Sequence, residues 1–388
     1  MDAALYIKMM SDKSVLDLRK IGYKYPDADM KEFVGLLKSS VYKTLPVHDF
    51  GGNNVVYMEN IAQIRIGAVK LLLTPQSSRS GYGLNAMESE ITSTLMIESI
   101  NTSRESVRKI LHGHAPSDER ENRIFGMKNG LEFIADPSNS ISEENIFALY
   151  DISVGRYLDD ADKLNRGEKY RHDTVYVMGQ DIEHMGLSHE KLPEYMKRFI
   201  DFIRQDSTQS DLIKAAAIHF YFAYLHPYFD GNGRMARLMH MWFLRLKGYS
   251  SALFVPFSSY VERSRRQYYN AFALAEANAK ISGVMDITPF LAYFIENVYN
   301  RLEDPEPKIN QLRIFSDALT SGTVTAKEKD LWNFVISAYG DEEFSTKQLE
   351  RDFANAAYAT IRGFVLKFTQ LGLLNTQKYS SRVKYRIK

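Results

Sequence analysis

A mainly α fold is what this sequence predicts, and three observations predict it. Asp211–Leu225 is a long apolar run rich in alanine, which reads as a helix buried almost all round. A second apolar-periodic run begins at about Asn232 and passes through Met235, Leu238, Met239, Trp242 and Phe243 to Lys247, with Gly248 as its stop. Strand character is concentrated in two places, residues 170–179 and the alternating stretch 373–387.

The 388 residues are enough for two or three domains. Residues 1–60 mix short charged segments with weak helical periodicity; 30–42 read as one helix and 48–54 as a loop. Ile61, Ile64, Ile66, Val69 and Leu72 predict a helix over 61–74, and the Ser/Gly-rich 75–83 a linker. Met87, Ile91, Leu95 and Met96 predict a helix over 84–98, followed by helices over 106–112 and 118–134. Ser142 ahead of Glu143 and Glu144 has the form of an N-cap with an acidic first turn, starting a helix that runs to about residue 160. Thr174, Val175, Tyr176 and Val177 argue a short strand or hairpin. Beyond the two central runs, 258–278 and 286–300 read as helices, the second with Pro289 in its first turn. Asp304-Pro305-Glu306-Pro307 is a linker.

After that linker come a helix over 327–339, one capped by Ser345 with Gln348 three residues on, and one over 356–371 ended by Gly372. Val383, Tyr385 and Ile387 then share one side of a terminal hairpin. Three helices and a hairpin resemble a winged helix. Arg362, Lys367, Lys378, Arg382, Lys384, Arg386 and Lys388 make this end basic, which suits DNA; many winged helices bind protein instead.

A net charge of +1 exerts no global pull toward nucleic acid or membrane. No cysteine is present, which excludes disulfides and thiolate metal sites. No apolar run approaches a membrane span, and Met1–Leu5 lacks the features of a signal peptide, so a cytoplasmic, non-membrane protein is the expectation. Residues 1–60 carry no chemistry of their own and are expected to pack on the core or to join a homo-oligomer. His172, His184 and His189 stand at no metal-ligand spacing and read as surface residues. His219 lies two helical turns before His226 with no third ligand nearby, so it reads as a core histidine bonded to backbone rather than a metal ligand.

The chemistry is concentrated in His226-Pro227-Tyr228-Phe229-Asp230-Gly231-Asn232-Gly233-Arg234-Met235-Ala236-Arg237. A glycine-rich loop feeding a helix N-terminus is a ready anion site: free N–H groups point outward, and glycines let a phosphate approach the backbone. Arg234 and Arg237 can add bidentate contacts to phosphate oxygens. Asp230 offers a hard oxygen for Mg²⁺, and His226 can take a proton from an incoming hydroxyl. Together these describe nucleotide phosphate chemistry with a hydroxyl nucleophile.

This segment resembles the Fic family signature, His-x-Phe-x-Asp/Glu-Gly-Asn-Gly-Arg-x-x-Arg, with Tyr228 where the family usually has Phe. The resemblance spans about residues 90–300. It implies a helical core with a β-hairpin flap that transfers AMP from ATP to a Ser, Thr or Tyr hydroxyl of a target protein, and of itself, releasing pyrophosphate. In that reading His226 is the base, Asp230 holds Mg²⁺, Gly231, Asn232 and Gly233 cradle the α/β-phosphates, and Arg234 and Arg237 grip the β/γ end. Thr94-Leu95-Met96-Ile97-Glu98-Ser99 resembles the family's inhibitory motif, with Ser99 where Gly or Asn is usual; Glu98 would then block Arg237. Thr174, Val175, Tyr176 and Val177 would form the flap that docks the target, and Tyr268 and Tyr269 would line the adenine pocket. The implied domains are 1–115 with the inhibitory helix at about 84–99, a Fic core over 116–302, and a winged-helix-like domain over 320–388. Two other functions fit the same residues: removal of AMP with Glu98 orienting water, and a nucleotide-sensing regulator that binds DNA.

Overall fold

Asp2, Asp17 and Asp29 each accept a backbone N–H at the start of a short helix: α1 (Ala3–Met10), α2 (Leu18–Lys24) and α3 (Met30–Leu36). Met9, Leu18, Ile21 and Phe33 of these helices form a small core with Leu37. The computed structural model describes residues 1–59, 62–73, 80–178, 182–206, 209–302, 314–315, 317–339, 343–353, 355–379 and 382–388. It divides into two units, Met1–Pro75 with Glu88–Leu302, and Gln76–Met87 with Glu303–Lys388. Among the described residues no helix is long and apolar enough to cross a membrane.

The expected helix over 30–42 stops at Leu36, makes a π turn over Leu37–Val41, and becomes strand β1 (Tyr42–His48). β1 pairs antiparallel with β2 (Asn54–Met58), a hairpin that the sequence did not announce. Pro46 argues against a strand, and it falls where the register shifts between Thr44 and His48. The hairpin is completed from afar, because Val56 exchanges backbone hydrogen bonds with Met285 and Ile287.

Helices α4 to α8 follow, partly within the expected bounds. α4 spans Ile66–Leu73; α5 (Ser80–Ile97) starts inside the expected linker, and its residues from Glu88 onward belong to this unit. α6 (Arg104–Leu111), α7 (Glu119–Ala135) and α8 (Glu143–Ser153) are capped by Ser103, Asp118 and Ser142. α8 ends seven residues before the expected 160, where the backbone turns at Val154 into a short 3-10 turn over Gly155–Tyr157. Strands β3 (Tyr176–Met178) and β4 (Ile182–Met185) form the second hairpin, and α9 (Leu192–Arg204) follows with a proline in its first turn.

α10 (Asp211–Leu225) and α11 (Asn232–Leu246) pack side by side at the centre, and nearly every residue of both is buried. α7 and α8 pack on each other, α7 packs on α11, and α14 (Thr288–Asn297) packs on α10 and on α13 (Arg265–Ser282). The expected helix 258–278 is two helices, α12 (Phe257–Arg263) and α13, broken at Ser264, whose hydroxyl bonds back to the Tyr260 carbonyl and meets the Tyr293 hydroxyl.

His219 and His240 sit in this core at 0% and 1% exposure. His219 Nε2 meets the Tyr268 hydroxyl at 2.9 Å, a side-chain partner rather than the expected backbone one; His240 Nε2 meets the Tyr299 hydroxyl at 2.8 Å. Burial holds both rings well below the usual histidine range, His240 down to about 3. An unfolded histidine takes its proton near pH 6.5, so between that value and the folded one the unfolded chain binds more protons. Stability therefore falls as pH drops below about 6.5, and for His240 the loss by about pH 3 is roughly a few kcal/mol. Melting curves should show a clearly lower midpoint at pH 5 than at pH 7.5, and a His240→Phe variant should lose part of that difference.

In the second unit a capping box of Thr325 and Glu328 starts the helix Ala326–Ala338. Thr346–Phe353 and Tyr358–Gln370 follow, then an antiparallel hairpin of Leu374–Tyr379 with Arg382–Ile387. Ser345 Oγ accepts the Gln348 N–H at 3.2 Å. Phe344 pairs with Tyr385 at the hairpin's other edge, and Trp332, Phe344, Leu349, Phe364 and Phe368 form the core.

Candidate active site

α10 cannot continue past Leu225, because the following residue precedes a proline. His226 takes the left-handed conformation instead (φ 54°), a position that costs a residue with a Cβ of order 1–3 kcal/mol. Arg171 holds it there. This guanidinium is 2% exposed and has three backbone acceptors: the His226 carbonyl at 2.8 Å, the Asp173 carbonyl at 2.5 Å and the Leu187 carbonyl. Arg171 N also donates to the Pro227 carbonyl at 3.0 Å. Nothing in the local sequence around Arg171 signalled this role.

The loop after His226 is shaped from within. Tyr228 is fully buried and stacks on Tyr150 at 3.5 Å between ring centroids, so the family's Phe is replaced at a packing position. The Asn232 side chain brackets the backbone of Tyr228, accepting its N–H at 3.0 Å and donating to its carbonyl at 2.8 Å. Gly231 caps α11 at φ 83°, and a Cβ there would strike Val154. A Cβ on Gly233 would strike Glu98 Oε1. The first turn of α11 keeps N–H groups that no intrahelical carbonyl can take, with the positive end of the helix dipole behind them.

The two arginines of the motif have different partners. Arg234 is 1% exposed and pairs with Asp230 Oδ2 at 2.7 Å; the other carboxylate oxygen accepts the Gly231 N–H at 2.6 Å. Arg237, 3% exposed, donates Nε to Thr94 Oγ1 at 2.7 Å and Nη2 to Glu98 Oε1 at 2.5 Å. Burial works against its charge, but Glu98, with Tyr268 and Tyr269, leaves the guanidinium above its ordinary range. Arg237 Nη1 has no hydrogen-bond partner among the described residues and lies 3.3 Å from where a Gly233 Cβ would stand.

Glu98 is delivered by α5. Glu90 on the same helix accepts from Ser258 N at 2.8 Å and from its hydroxyl, and Ser93 Oγ meets Ser259 Oγ at 3.0 Å. The helix ends in a Schellman motif: Ile100 N donates to the Leu95 carbonyl and Ser99 N to the Met96 carbonyl. Ser99 is the left-handed residue of that motif, at φ 61°, which is where glycine or asparagine is favoured. Arg265 offsets part of the strain by donating to Ser99 Oγ at 3.0 Å. Ser99→Gly is expected to stabilise the chain by about 0.5–1 kcal/mol, the αL strain relieved less the entropy that glycine adds to the unfolded state; chemical denaturation measures it.

An open cleft joins these groups; Glu98, His226, Asn232, Gly233 and Arg237 line it together with Tyr268, Tyr269, Phe272, Glu276 and His184. Tyr268 is buried and Tyr269 is 38% exposed. His226 is drawn down to about 4, chiefly by burial and then by the neighbouring His184.

Of the four expected flap residues, Tyr176 and Val177 lie in β3, while Thr174 and Val175 lead into it; the Val175 carbonyl accepts the Gly186 N–H at 3.1 Å. Tyr176 and its register partner Met185 are 49% and 53% exposed. His184 departs from the surface role expected of it. Its ring is 6.2 Å from that of His226, with Glu276 Oε1 at 2.5 Å from Nδ1 and the Tyr224 carbonyl at 2.8 Å from Nε2. Among the described residues no cluster of three or more His, Asp or Glu side chains is arranged to hold a metal. Asp230 is a single, 52% exposed carboxylate, which fits Mg²⁺ only as one protein ligand beside phosphate oxygens and water.

Residues 140–244 match the family model described as Fic/DOC family. Protein adenylyltransferase Fic of Drosophila mojavensis is 28% identical over 184 residues, which cover 46% of this chain and 32% of that protein. Protein adenylyltransferase fic-1 of Caenorhabditis elegans is 29% identical over 211 residues, covering 52% of this chain and 37% of its own length. The chain thus spans about a third of the length of the curated relatives it matches. A crystal structure of a Fic family protein from Desulfovibrio desulfuricans G20 shares the fold, with a TM-score of 0.50 at 18% identity over 84% of this chain and 97% of that one.

Proposed function

From a chain that carries a Fic/DOC-family domain over residues 140–244, we infer a protein adenylyltransferase that moves AMP from ATP to a hydroxyl of a protein and is held in check by Glu98. The observation that carries the reading is Arg237: a buried guanidinium whose Nη1 has no hydrogen-bond partner among the described residues, beside the free N–H groups of a helix N-terminus, and with its other arm on a carboxylate. Such a site is built for an anion, and Glu98 occupies part of it.

In this reading the α11 N-terminus and Gly233 receive the phosphates, and Arg234 and Arg237 neutralise their charge. Tyr268 and Tyr269 line the end of the cleft that takes the base. Asp230 would hold Mg²⁺ together with phosphate oxygens; the ion supplies charge neutralisation and orientation. The exposed Tyr176–Met185 pair and the strand edge of β3 offer the target a short main-chain and apolar docking surface. His226 is unprotonated at neutral pH and takes the proton of the acceptor hydroxyl, whose oxygen bonds the α-phosphorus as the bond to pyrophosphate breaks. The protein contributes position and charge and does little covalent chemistry itself.

ATP labelled at the α-phosphate, incubated with the Glu98→Gly protein, Mg²⁺ and a cell lysate, should leave protein-bound label beyond that of the lysate alone, whereas ATP labelled at the γ-phosphate should add none to what the lysate's own kinases leave. Label from the γ position alone would replace AMP transfer with phosphoryl transfer; label from neither would sink the transferase reading.

A further inference from the structure

Glu98 stands one residue beyond the last helical residue of α5, so its aim depends on the turn that follows as well as on the helix. Two backbone bonds close that turn, Ser99 N to the Met96 carbonyl at 3.0 Å and Ile100 N to the Leu95 carbonyl at 2.9 Å. Closure needs a positive φ at residue 99, and serine at φ 61° carries strain there that glycine would not. A strained terminal turn opens more readily than the helix behind it. Glu90 and Ser93 fasten α5 to Ser258 and Ser259, but about two and one helical turns before Glu98.

The turn itself is gripped by the first residue of α13. Arg265 spreads one guanidinium across it: Nη1 donates to the Met96 carbonyl at 3.3 Å and Nη2 to Ser99 Oγ at 3.0 Å. Its positive charge also faces the negative end of the α5 dipole. The Tyr269 ring backs the guanidinium, 5.8 Å from ring centroid to charge, and its hydroxyl adds a longer bond of 3.4 Å to the Ile97 carbonyl. Arg265 is exposed, so its side chain is no part of the core.

We propose that Arg265 is a positioning residue for inhibition: it keeps the strained turn after α5 closed, and the closed turn keeps Glu98 on Arg237. The effect on catalysis rests on the reading of Glu98 as inhibitor given above, while the closure of the turn does not. Arg237 sets how tightly Glu98 is held once in place. Arg265 sets how much of the time it is in place. Serine at 99 makes closure depend on Arg265 in two ways, through its strain and through the hydroxyl that Arg265 takes. A glycine at that position would close the turn unaided.

Hydrogen exchange reads the turn without any assay of activity. In Arg265→Ala the Ser99 and Ile100 amides should exchange about three- to tenfold faster, the factor that goes with a hydrogen bond lost at an exposed site. Amides in the body of α5, Leu95 among them, should keep their rates. Unchanged exchange at Ser99 and Ile100 would overturn the proposal. Calorimetric titration with Mg·ATP, which needs no turnover, should show Arg265→Ala binding up to the same factor more tightly, because Glu98 competes less often. Incorporation from α-labelled ATP should rise by that factor at subsaturating ATP, less than in Glu98→Gly, through a lower KM for ATP with kcat held. In the Glu98→Gly background Arg265→Ala should change neither constant, since no carboxylate is left to position. An equal change in both backgrounds would give Arg265 a direct part in the cleft and overturn the proposal. Ser99→Gly separates positioning from general weakening. It removes the strain, so Arg265→Ala combined with Ser99→Gly should lose most of the rise; a rise undiminished by Ser99→Gly would also overturn the proposal. Absence of label in every form, with exchange and ATP affinity shifting as stated, would remove the transferase reading and leave Arg265 as the residue that positions Glu98.

Discussion

Glu98→Gly is expected to raise AMP incorporation by about 10- to 150-fold at subsaturating ATP. The estimate follows from the bond removed. A charge-assisted hydrogen bond between a carboxylate and a guanidinium contributes about 1.5–3 kcal/mol, and each 1.4 kcal/mol is tenfold in the occupancy of a competing ligand. Glu98 is 26% exposed while Arg237 is 3% exposed, so the arginine has little water to fall back on. The substitution therefore has a second signature. Without ATP the variant holds a buried, under-partnered cation, which typically costs about 3–5 kcal/mol. Its melting point should fall below that of the unaltered chain, and Mg·ATP should raise it by more than it raises the unaltered chain's. Scanning calorimetry with and without nucleotide checks both. A variant that melts lower but gains nothing from ATP would deny that Glu98 and the phosphates compete for Arg237.

His226→Ala in the same background should lower incorporation by about 10²- to 10⁴-fold, the usual contribution of a general base, and leave ATP binding intact. The groups assigned to the phosphates, Gly233, Arg234 and Arg237, are untouched, so KM for ATP should hold while kcat falls. The pH profile identifies the base further. His226 sits at about 4 before substrate binds, so kcat/KM of the Glu98→Gly form should stay level as pH falls from 8 to about 5 and drop below that, as the ring protonates. Bound phosphates bring negative charge, which favours the protonated ring. The acid limb of kcat should therefore lie at higher pH than that of kcat/KM. A residual rate in His226→Ala equal to that of the Glu98→Gly form would assign the base elsewhere.

The parts of this molecule that were legible in sequence are those whose reason is local. Asp211–Leu225 and Asn232–Leu246 announced themselves by apolar content, and the loop between them by its glycines. Ser142 and Ser345 cap as their following residues suggest. Where partners are distant, the signal vanishes. Strand β2 is held by Met285 and Ile287, more than 220 positions along the chain, so nothing near Val56 marks it as paired. His184 meets Glu276 across 92 residues, and its short neighbourhood has no period that separates a bridging imidazole from a solvated one. Arg171 is similar: a lone arginine in a polar stretch looks exposed until three carbonyls are folded around it. Ser99 is the converse case. Its departure from glycine or asparagine was visible in sequence, but the reason those residues suit the position, a positive φ at the end of α5, is visible only in three dimensions.

The anchoring of α5 through Glu90 and Ser93 has a consequence for how the site responds to concentration. Glu98 and Arg237 belong to one chain, so the carboxylate faces the guanidinium at a fixed local concentration, of order millimolar or above for tethered groups. Dilution does not weaken the contact, and a free peptide copied from α5 must be supplied at comparable levels to replace the tethered one. Whatever opens the site must therefore act on the tether, by drawing Glu90 and Ser93 from Ser258 and Ser259, or outcompete it with ligand.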